Sequence, residues 1–350
     1  MYKKFVSFFH NNVETSLGNS MFDIQKNKMT EVPIFARLRN FLKQRNIHIN
    51  TYDIPTKKPP FRNVHIDLPY PIASNFPIWK TIFLNRRKNI LLCCEPPMVN
   101  PFDYMKIFHI FFVKIYTWND ELVDNKKYFK FRLPKTSVGI NTRAKKFEDK
   151  KFLVLINKNI LPFFPFKLLR PFDKELYSQR IKAIEFFQKQ IPDKFFLYGR
   201  GWNKAKKYNL REFLLGFKKY SVYKGEIDDK IELLSGFKYS LCFENITNVK
   251  GFITEKIFDC FKARCVPIYW GASDIEKHIP KNCFIDFRDF LTYEKLLRFL
   301  DSIGERKYNS YIENIERLLE NKKFIEPWFE DGYCRFFLED VLEIKNEKQR

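Results

Sequence analysis

Two short apolar runs, Lys238–Phe243 (KYSLCF) and Val266–Trp270 (VPIYW), bracket a polar loop and a helical stretch from Thr254 to about Arg264. Runs of this length, rich in aromatic and β-branched residues, are too short for helices and read as buried strands. The stretch between them places Ile257, Phe258, Phe261 and Cys265 on one face at helical spacing. Strand, loop, helix, strand is the unit of a parallel sheet, because parallel neighbours need a crossover. The same rhythm recurs upstream: a strand at Phe152–Ile156, a helix at Glu175–Gln190, and a strand at Lys194–Tyr198 running into Gly199-Arg200-Gly201. Earlier still, Asn89–Cys94 (NILLCC) reads as a strand stopped by Glu95-Pro96-Pro97, since proline cannot donate in a ladder. The expected class is therefore α/β, with parallel strands covered on both faces. A Lys-rich connector at 142–151 divides an expected first domain, 1–149, from a second, 150–340, followed by a charged tail, 341–350. Residues 1–60 read as basic and irregular, and 308–323 as a surface helix.

Composition narrows the class of protein. Aromatic residues make up 18% of the 350, with 40 Phe, far too much apolar surface for a disordered chain. No run is long and apolar enough to span a bilayer as a helix. In MYKKFVSFFHNN the apolar run stops at His10 without a small-residue cleavage site, so no secretory signal is expected. The seven cysteines show no C-x-x-C pair and read as reduced, buried thiols of a cytoplasmic protein. The net charge of +22 is spread at about +14 over 1–150 and about +11 over 151–300, turning to about −3 in the last fifty residues. Such a field attracts phosphates, nucleic acid or an anionic membrane face, though an AT-rich genome would produce the same bias. No nucleic-acid-binding motif accompanies it, and nucleic acid is not expected as a partner.

In open α/β sheets, ligands bind beyond the carboxyl ends of strands. Arg200, between two glycines, could fork onto phosphate oxygens there, although such a turn is more often just a turn. Thr254 is a natural N-cap, and Glu255 in the first turn suits the helix dipole. Lys256 beside it does not suit that dipole, and a phosphate docked on the amide groups would remove the conflict. Glu95, at a strand end between apolar residues and two prolines, is a candidate general base, and equally a solvated strand-end residue. The five histidines lack metal-ligand spacing, and no D-x-D sequence occurs. Asn245-Ile246-Thr247 matches a glycosylation acceptor by chance.

The stretch KYSLCFENITNVKGFITEKIFDCFKARCVPIYWG, residues 238–271, resembles the signature of the α-1,3-fucosyltransferases, glycosyltransferase family 10 of bacterial type. The resemblance extends through LLCCEPPMVNP (91–101), IYTWNDELVDN (115–125), FRLP (131–134) and YGRGWN (198–203). It implies a GT-B architecture, two Rossmann-like domains facing across a cleft, with the donor GDP-fucose in the second and the acceptor sugar in the first. It implies an inverting transfer of L-fucose from GDP-β-L-fucose to the 3-hydroxyl of a GlcNAc-type residue, without a required cofactor or metal. The acceptor would be a lactosamine or other GlcNAc-containing glycan on protein or lipopolysaccharide. Carried onto this chain, Arg200 and Lys256 would grip the diphosphate, Glu255 the ribose, Asn245 and Phe252 would line the pocket, and Glu95 would be the general base. Phe252 stands where tyrosine is frequent, and the loop before Glu255 is one residue longer than the common form.

Two other readings compete. One is a GT-B transferase using another nucleotide sugar. The other is a basic protein that binds a membrane surface or nucleic acid without turnover. A peripheral position on the inner membrane face is compatible with the enzyme, with MYKKFVSFF as a contributing contact.

Overall fold

The structure, a computed structural model, describes residues 4–10, 17–25, 32–56, 58–136, 145–159, 174–203 and 219–345. The expected connector and tail fall partly outside them. The chain divides into two compact units: Met1–Ser137 together with Lys322–Arg350, and Val138–Asn321.

The first unit holds a six-stranded sheet ordered β2-β1-β3-β4-β5-β6, parallel throughout. Its strands are β1 (Lys4–His10), β2 (Ile47–Thr51), β3 (Arg62–Ile66), β4 (Asn89–Cys93), β5 (Lys114–Thr117) and β6 (Tyr128–Lys130). Successive side chains of a strand point to opposite faces. Ile90 and Leu92 of β4 accordingly join the core beneath α1 (Val32–Lys43), with Ile34, Leu38 and Leu42. Leu91 and Cys93 join the opposite core beneath α2 (Phe76–Leu84), with Ile78, Trp79 and Ile82. The reading of residues 1–60 as irregular is corrected here. β1 lies between β2 and β3, and Val6, Phe8 and Phe9 are buried. A central parallel strand is covered on both faces and so shows no polar alternation by which to recognise it. Of MYKKFVSFF, the described residues from Lys4 onward form an interior strand of the sheet and not a surface contact.

The second unit holds β7 (Lys151–Ile156), β8 (Phe195–Tyr198), β9 (Phe237–Phe243), β10 (Val266–Trp270) and β11 (Ile285–Asp286), parallel in the order β11-β10-β9-β7-β8. Helices α3 (Tyr177–Gln190), α4 (Lys230–Ser235), α5 (Glu255–Lys262), α6 (Tyr293–Ser302) and α7 (Glu305–Glu320) complete it. Each strand expected between 150 and 271 is present within a residue or so of its expected ends. The α5 stripe is buried as its spacing requires: Ile257, Phe258, Phe261 and Cys265 are all fully covered. The helix ends two residues early because Arg264 turns left-handed (φ 51°), letting the Cys265 amide close on the Cys260 carbonyl at 3.0 Å.

The domain boundaries differ from those read in the sequence. Residues 322–340, assigned above to the second domain, return to the first unit. There α8 (Glu330–Phe336) and the π-type turn Phe337–Val341 bury Tyr333, Cys334, Phe337, Leu338 and Val341 in the core shared with α1. Ion pairs fasten the return: Arg37–Asp331 at 2.6 Å, and Glu343 with both Arg62 and Lys114 at 2.7 Å. Upstream, the Phe147 ring packs tilted against Tyr308 at 5.1 Å, so residues before 150 already belong to the second unit.

Candidate functional site

Each unit carries one place where polar side chains gather at the carboxyl ends of its strands. In the second unit it is the turn from β9 into α5. Glu244 follows the last residue of β9 and is fully buried. Its carboxylate accepts from the Thr254 amide at 2.8 Å and from the Thr254 hydroxyl at 2.8 and 3.0 Å. The Lys256 ammonium donates to it at 3.0 Å. Thr254 is the N-cap, its hydroxyl accepting from the Lys256 amide. Burial works to lower the Lys256 pKa, but the charges of Glu244 and Glu255 outweigh it and the ammonium is held above its usual range. This removes the conflict that suggested a docked phosphate: the cation in the first turn of α5 is matched by a buried carboxylate from β9.

The same turn explains Gly271. A Cβ there would lie 2.5 Å from both the Glu244 side chain and the Tyr269 hydroxyl, so only glycine admits the carboxylate. Tyr269 in turn accepts from the Ala272 amide at 3.0 Å. Much of the 238–271 signature therefore holds Glu244 and Lys256 in place.

Arg180 of α3 is buried beneath this turn. Its Nη2 lies 2.7 Å from the Phe243 carbonyl, 2.6 Å from the Glu244 carbonyl and 3.1 Å from Asn245 Oδ1. Its Nε finds no hydrogen-bond partner, and burial lowers its pKa. Lys230, at the start of α4, pairs with Asp259 at 2.9 Å. Burial opposes its charge, but Asp259 and Glu255 together raise its pKa. Arg180, Lys230 and Lys256 converge with Asn157 on one small recess at the ends of β7 and β9. Three cations stand there against Glu244, Asp259 and, at the rim, Glu255, so the charges balance and the recess is strongly polar.

The predicted site residues divide accordingly. Lys256 faces this recess, Asn245 is tied to Arg180, and Glu255 stands at its rim with a half-exposed side chain. Phe252 is 1% exposed, so its ring lies in the core and lines no open pocket. Arg200 is elsewhere. It sits on the turn after β8, 76% exposed and 3.4 Å from Glu226. Because β7 lies between β8 and β9, the two loops stand two strand spacings apart, about 10 Å. The Gly199-Arg200-Gly201 turn is itself demanding: Gly199 has φ 123°, and a Cβ there would strike the Asn157 carbonyl at 2.2 Å. Sequence reasoning missed Glu244, Arg180 and Lys230. Glu244 sits inside the quoted signature, whereas nothing local marks an arginine on an amphipathic helix as buried.

In the first unit, Glu95 stands two residues beyond β4, half-buried. Its peptide is held on both sides. Asp67 Oδ1 accepts from the amides of Cys94 at 2.6 Å and Glu95 at 3.1 Å, and the Tyr104 hydroxyl donates to the Glu95 carbonyl at 2.8 Å. Asp67 adopts φ 53° and is buried, as is Asp103, whose Oδ1 accepts from the Leu68 amide at 2.6 Å. Burial raises both carboxyl pKa values, Asp103 well above the usual range because it also faces the Asp67 charge. Like charges this close cannot both persist, so Asp103 is the protonated member and Asp67 the carboxylate that caps the Glu95 turn.

Two parallel α/β units, each with polar groups at its strand ends, define the GT-B class of glycosyltransferase folds. Among solved structures, an α1,3-fucosyltransferase matches at TM-score 0.53 and 15% identity over 90% of this chain and 82% of that one. A glycosyltransferase from Rickettsia africae matches at 0.55 and 10% identity over 98% and 100%. At such identities the likeness is one of fold alone. Residues 175–339 match the model of glycosyltransferase family 10 (fucosyltransferase), C-terminal region. Curated relatives include the Helicobacter pylori α-(1,3)-fucosyltransferase FucT, 33% identical over 33% of this chain and 25% of its own length. A putative fucosyltransferase of Acanthamoeba polyphaga mimivirus is 40% identical over 24% and 14%. The mouse 4-galactosyl-N-acetylglucosaminide 3-α-L-fucosyltransferase 9 is 33% identical over 31% and 33%. The matched stretch thus spans a third or less of each of these relatives.

Proposed function

We propose that the protein transfers L-fucose from GDP-β-L-fucose to the 3-hydroxyl of a GlcNAc-type residue in a glycan. The observation that carries this reading is the polar recess at the β9–α5 turn, where Lys256 of the 238–271 signature meets Arg180 of α3 and Lys230 of α4. In the transfer, the acceptor O3 attacks C1 of fucose, the C1–O bond to the diphosphate breaks, and GDP leaves with the bonding pair. One displacement inverts β to α. Glu95 takes the proton from O3, its main chain pinned by Asp67 and Tyr104. The leaving diphosphate gains charge, which Lys256 and its neighbours stabilise in a dry site. Glu255, half-exposed at the rim and 3.8 Å from the Lys256 ammonium, accepts from ribose hydroxyls. Arg200 would have to exchange Glu226 for a phosphate, so its contribution is smaller than that of Lys256. This scheme assigns charge neutralisation to the protein's own cations and requires no metal.

Calorimetric titration with GDP, GMP, UDP and ADP, with and without EDTA, tests the donor. Binding that favours GDP and ignores EDTA supports the reading, followed by NMR of the anomeric linkage formed from GDP-fucose and a lactosamine. A preference for UDP would instead favour a different nucleotide sugar, and loss of binding in EDTA would refute the metal-free scheme.

A further inference from the structure

The first unit carries an apolar face on which nothing packs among the described residues. α2, FPIWKTIFL, is apolar on nearly every side. Its inner face, Ile78, Trp79 and Ile82, fills the core under the sheet, while Phe76 is 67%, Leu84 71% and Phe83 47% exposed. The neighbouring segment, residues 105–113, repeats the pattern: His109 and Phe112 point inward, whereas Ile107 is 65% and Ile110 50% exposed. The two elements lie side by side, with Trp79 on Phe108 at 4.9 Å and Phe83 against Phe111 at 4.8 Å between ring centroids. Their outward residues therefore form one continuous patch. A patch of this size on a water-soluble surface marks an interaction site.

The charges around the patch decide what it fits. Lys80 lies on the outer face of α2, Arg86 and Arg87 follow its end, and Lys106 stands beside Ile107, all four exposed. The only acids between residues 70 and 113 are Glu95 and Asp103, the first half-buried and the second buried. Bulky apolar side chains ringed by cations, with no exposed carboxylate in the segment, match the interface of an anionic bilayer. There the acyl region takes up the side chains and the headgroup phosphates meet the lysines and arginines. A protein partner would need a matching shape, whereas a bilayer accepts any gently convex apolar face.

We propose that α2 and residues 105–113 form a docking surface for an anionic lipid bilayer, seating the first unit on the membrane by Phe76, Phe83, Leu84, Ile107 and Ile110. The proposal does not depend on the sugar transferred. It concerns a different surface from the recess at β9, and from the expected contact at MYKKFVSFF.

Cosedimentation of the full chain with vesicles tests it, comparing phosphatidylcholine alone with phosphatidylcholine containing phosphatidylglycerol. Wild-type protein should bind the anionic vesicles, and raising salt from about 0.1 to about 0.5 M should weaken binding roughly tenfold, as screening shortens. Phe76→Ser/Leu84→Gln/Ile107→Gln should lose about 100-fold or more at both salt concentrations. Lys80→Gln/Arg87→Gln should lose about tenfold at low salt only. Both variants should keep wild-type urea midpoints and nucleotide affinity, which separates lost docking from lost folding and from failure of the donor assignment. Wild-type binding by the apolar triple variant would overturn the proposal, as would absence of vesicle binding by the wild type. Concentration-dependent dimerisation abolished by the same triple variant would assign the face to a second copy of the chain and overturn the lipid reading.

Discussion

The buried pair between Glu244 and Lys256 is the feature on which the second unit's site most depends, and a double-mutant cycle measures it. Lys256→Met keeps the aliphatic stem and removes the cation. It strands a fully buried carboxylate whose remaining partners are the amide and hydroxyl of Thr254. Breaking one side of such a pair costs about 3–5 kcal/mol. Glu244→Gln keeps an oxygen for the Thr254 amide and strands the ammonium instead. Lys256 is 19% exposed and can swing towards water, so this loss should be smaller, about 1–3 kcal/mol. The double variant buries no unmatched charge and should be less destabilised than the sum of the singles by about 2 kcal/mol, within the range for contacting residues. Urea unfolding of the full chain followed by tryptophan fluorescence reads this out, since Trp270, on the strand beside Glu244, accepts the Glu244 amide at 2.8 Å. With a slope of about 2–3 kcal/mol per molar, Lys256→Met should lower the midpoint by about 1–2 M. If the two single losses add within about 0.5 kcal/mol, Lys256 is solvated and Glu244 does not hold it. The account of the α5 N-terminus given above would then fail.

Three further outcomes are expected. Glu95→Gln should cut fucosyl transfer by about 10²–10⁴-fold while GDP affinity in calorimetry stays within a few-fold; retained turnover would remove Glu95 as the base. Asp67→Ala should lower turnover without changing GDP affinity, because the Cys94 and Glu95 amides lose their acceptor, and Asp67→Asn, which keeps an oxygen there, should recover part of it. Equal losses in both variants would show that Asp67 does not act as an amide acceptor. His65 is fully buried, stacked on Phe9 at 4.3 Å, with burial pulling its pKa down to about 3. The unfolded chain therefore binds a proton that the folded one refuses. This stability is intact above about pH 6.5 and is lost as the pH falls towards 3, by roughly 2–3 kcal/mol at pH 4.5. His65→Leu should lose correspondingly less between pH 7 and 4.5 in urea midpoints, and an equal loss would refute the assignment.

Periodicity was legible where an element has two unlike faces. The stripe Ile257, Phe258, Phe261 and Cys265 announced α5, and the short runs at 152–156 and 266–270 announced strands, because their lengths suit nothing else. The first sixty residues failed the same test because β1 is covered on both sides by Phe35 and Leu38 of α1 and by the core of Phe9 and Leu68. The return of residues 322–345 to the first unit failed for another reason. Tyr333, Phe337 and Val341 advertise a buried face but not which core receives it.

By itself the sequence determined the class of fold, the strand-to-helix turn that carries Lys256, and the family signature, since all three are local patterns of residue type and spacing. It also placed Lys256 at a helix N-terminus and Glu95 at a strand end. Tertiary structure alone decided what those residues touch. It set Glu244 against Lys256, brought Arg180 of α3 under the β9 turn, turned Phe252 into the core, left Arg200 paired with Glu226, and put Asp67 beneath Glu95. The reason is physical: a spacing along the chain fixes which face a side chain takes, whereas burial and charge pairing depend on strands and helices that are distant in sequence and meet only when the sheets close.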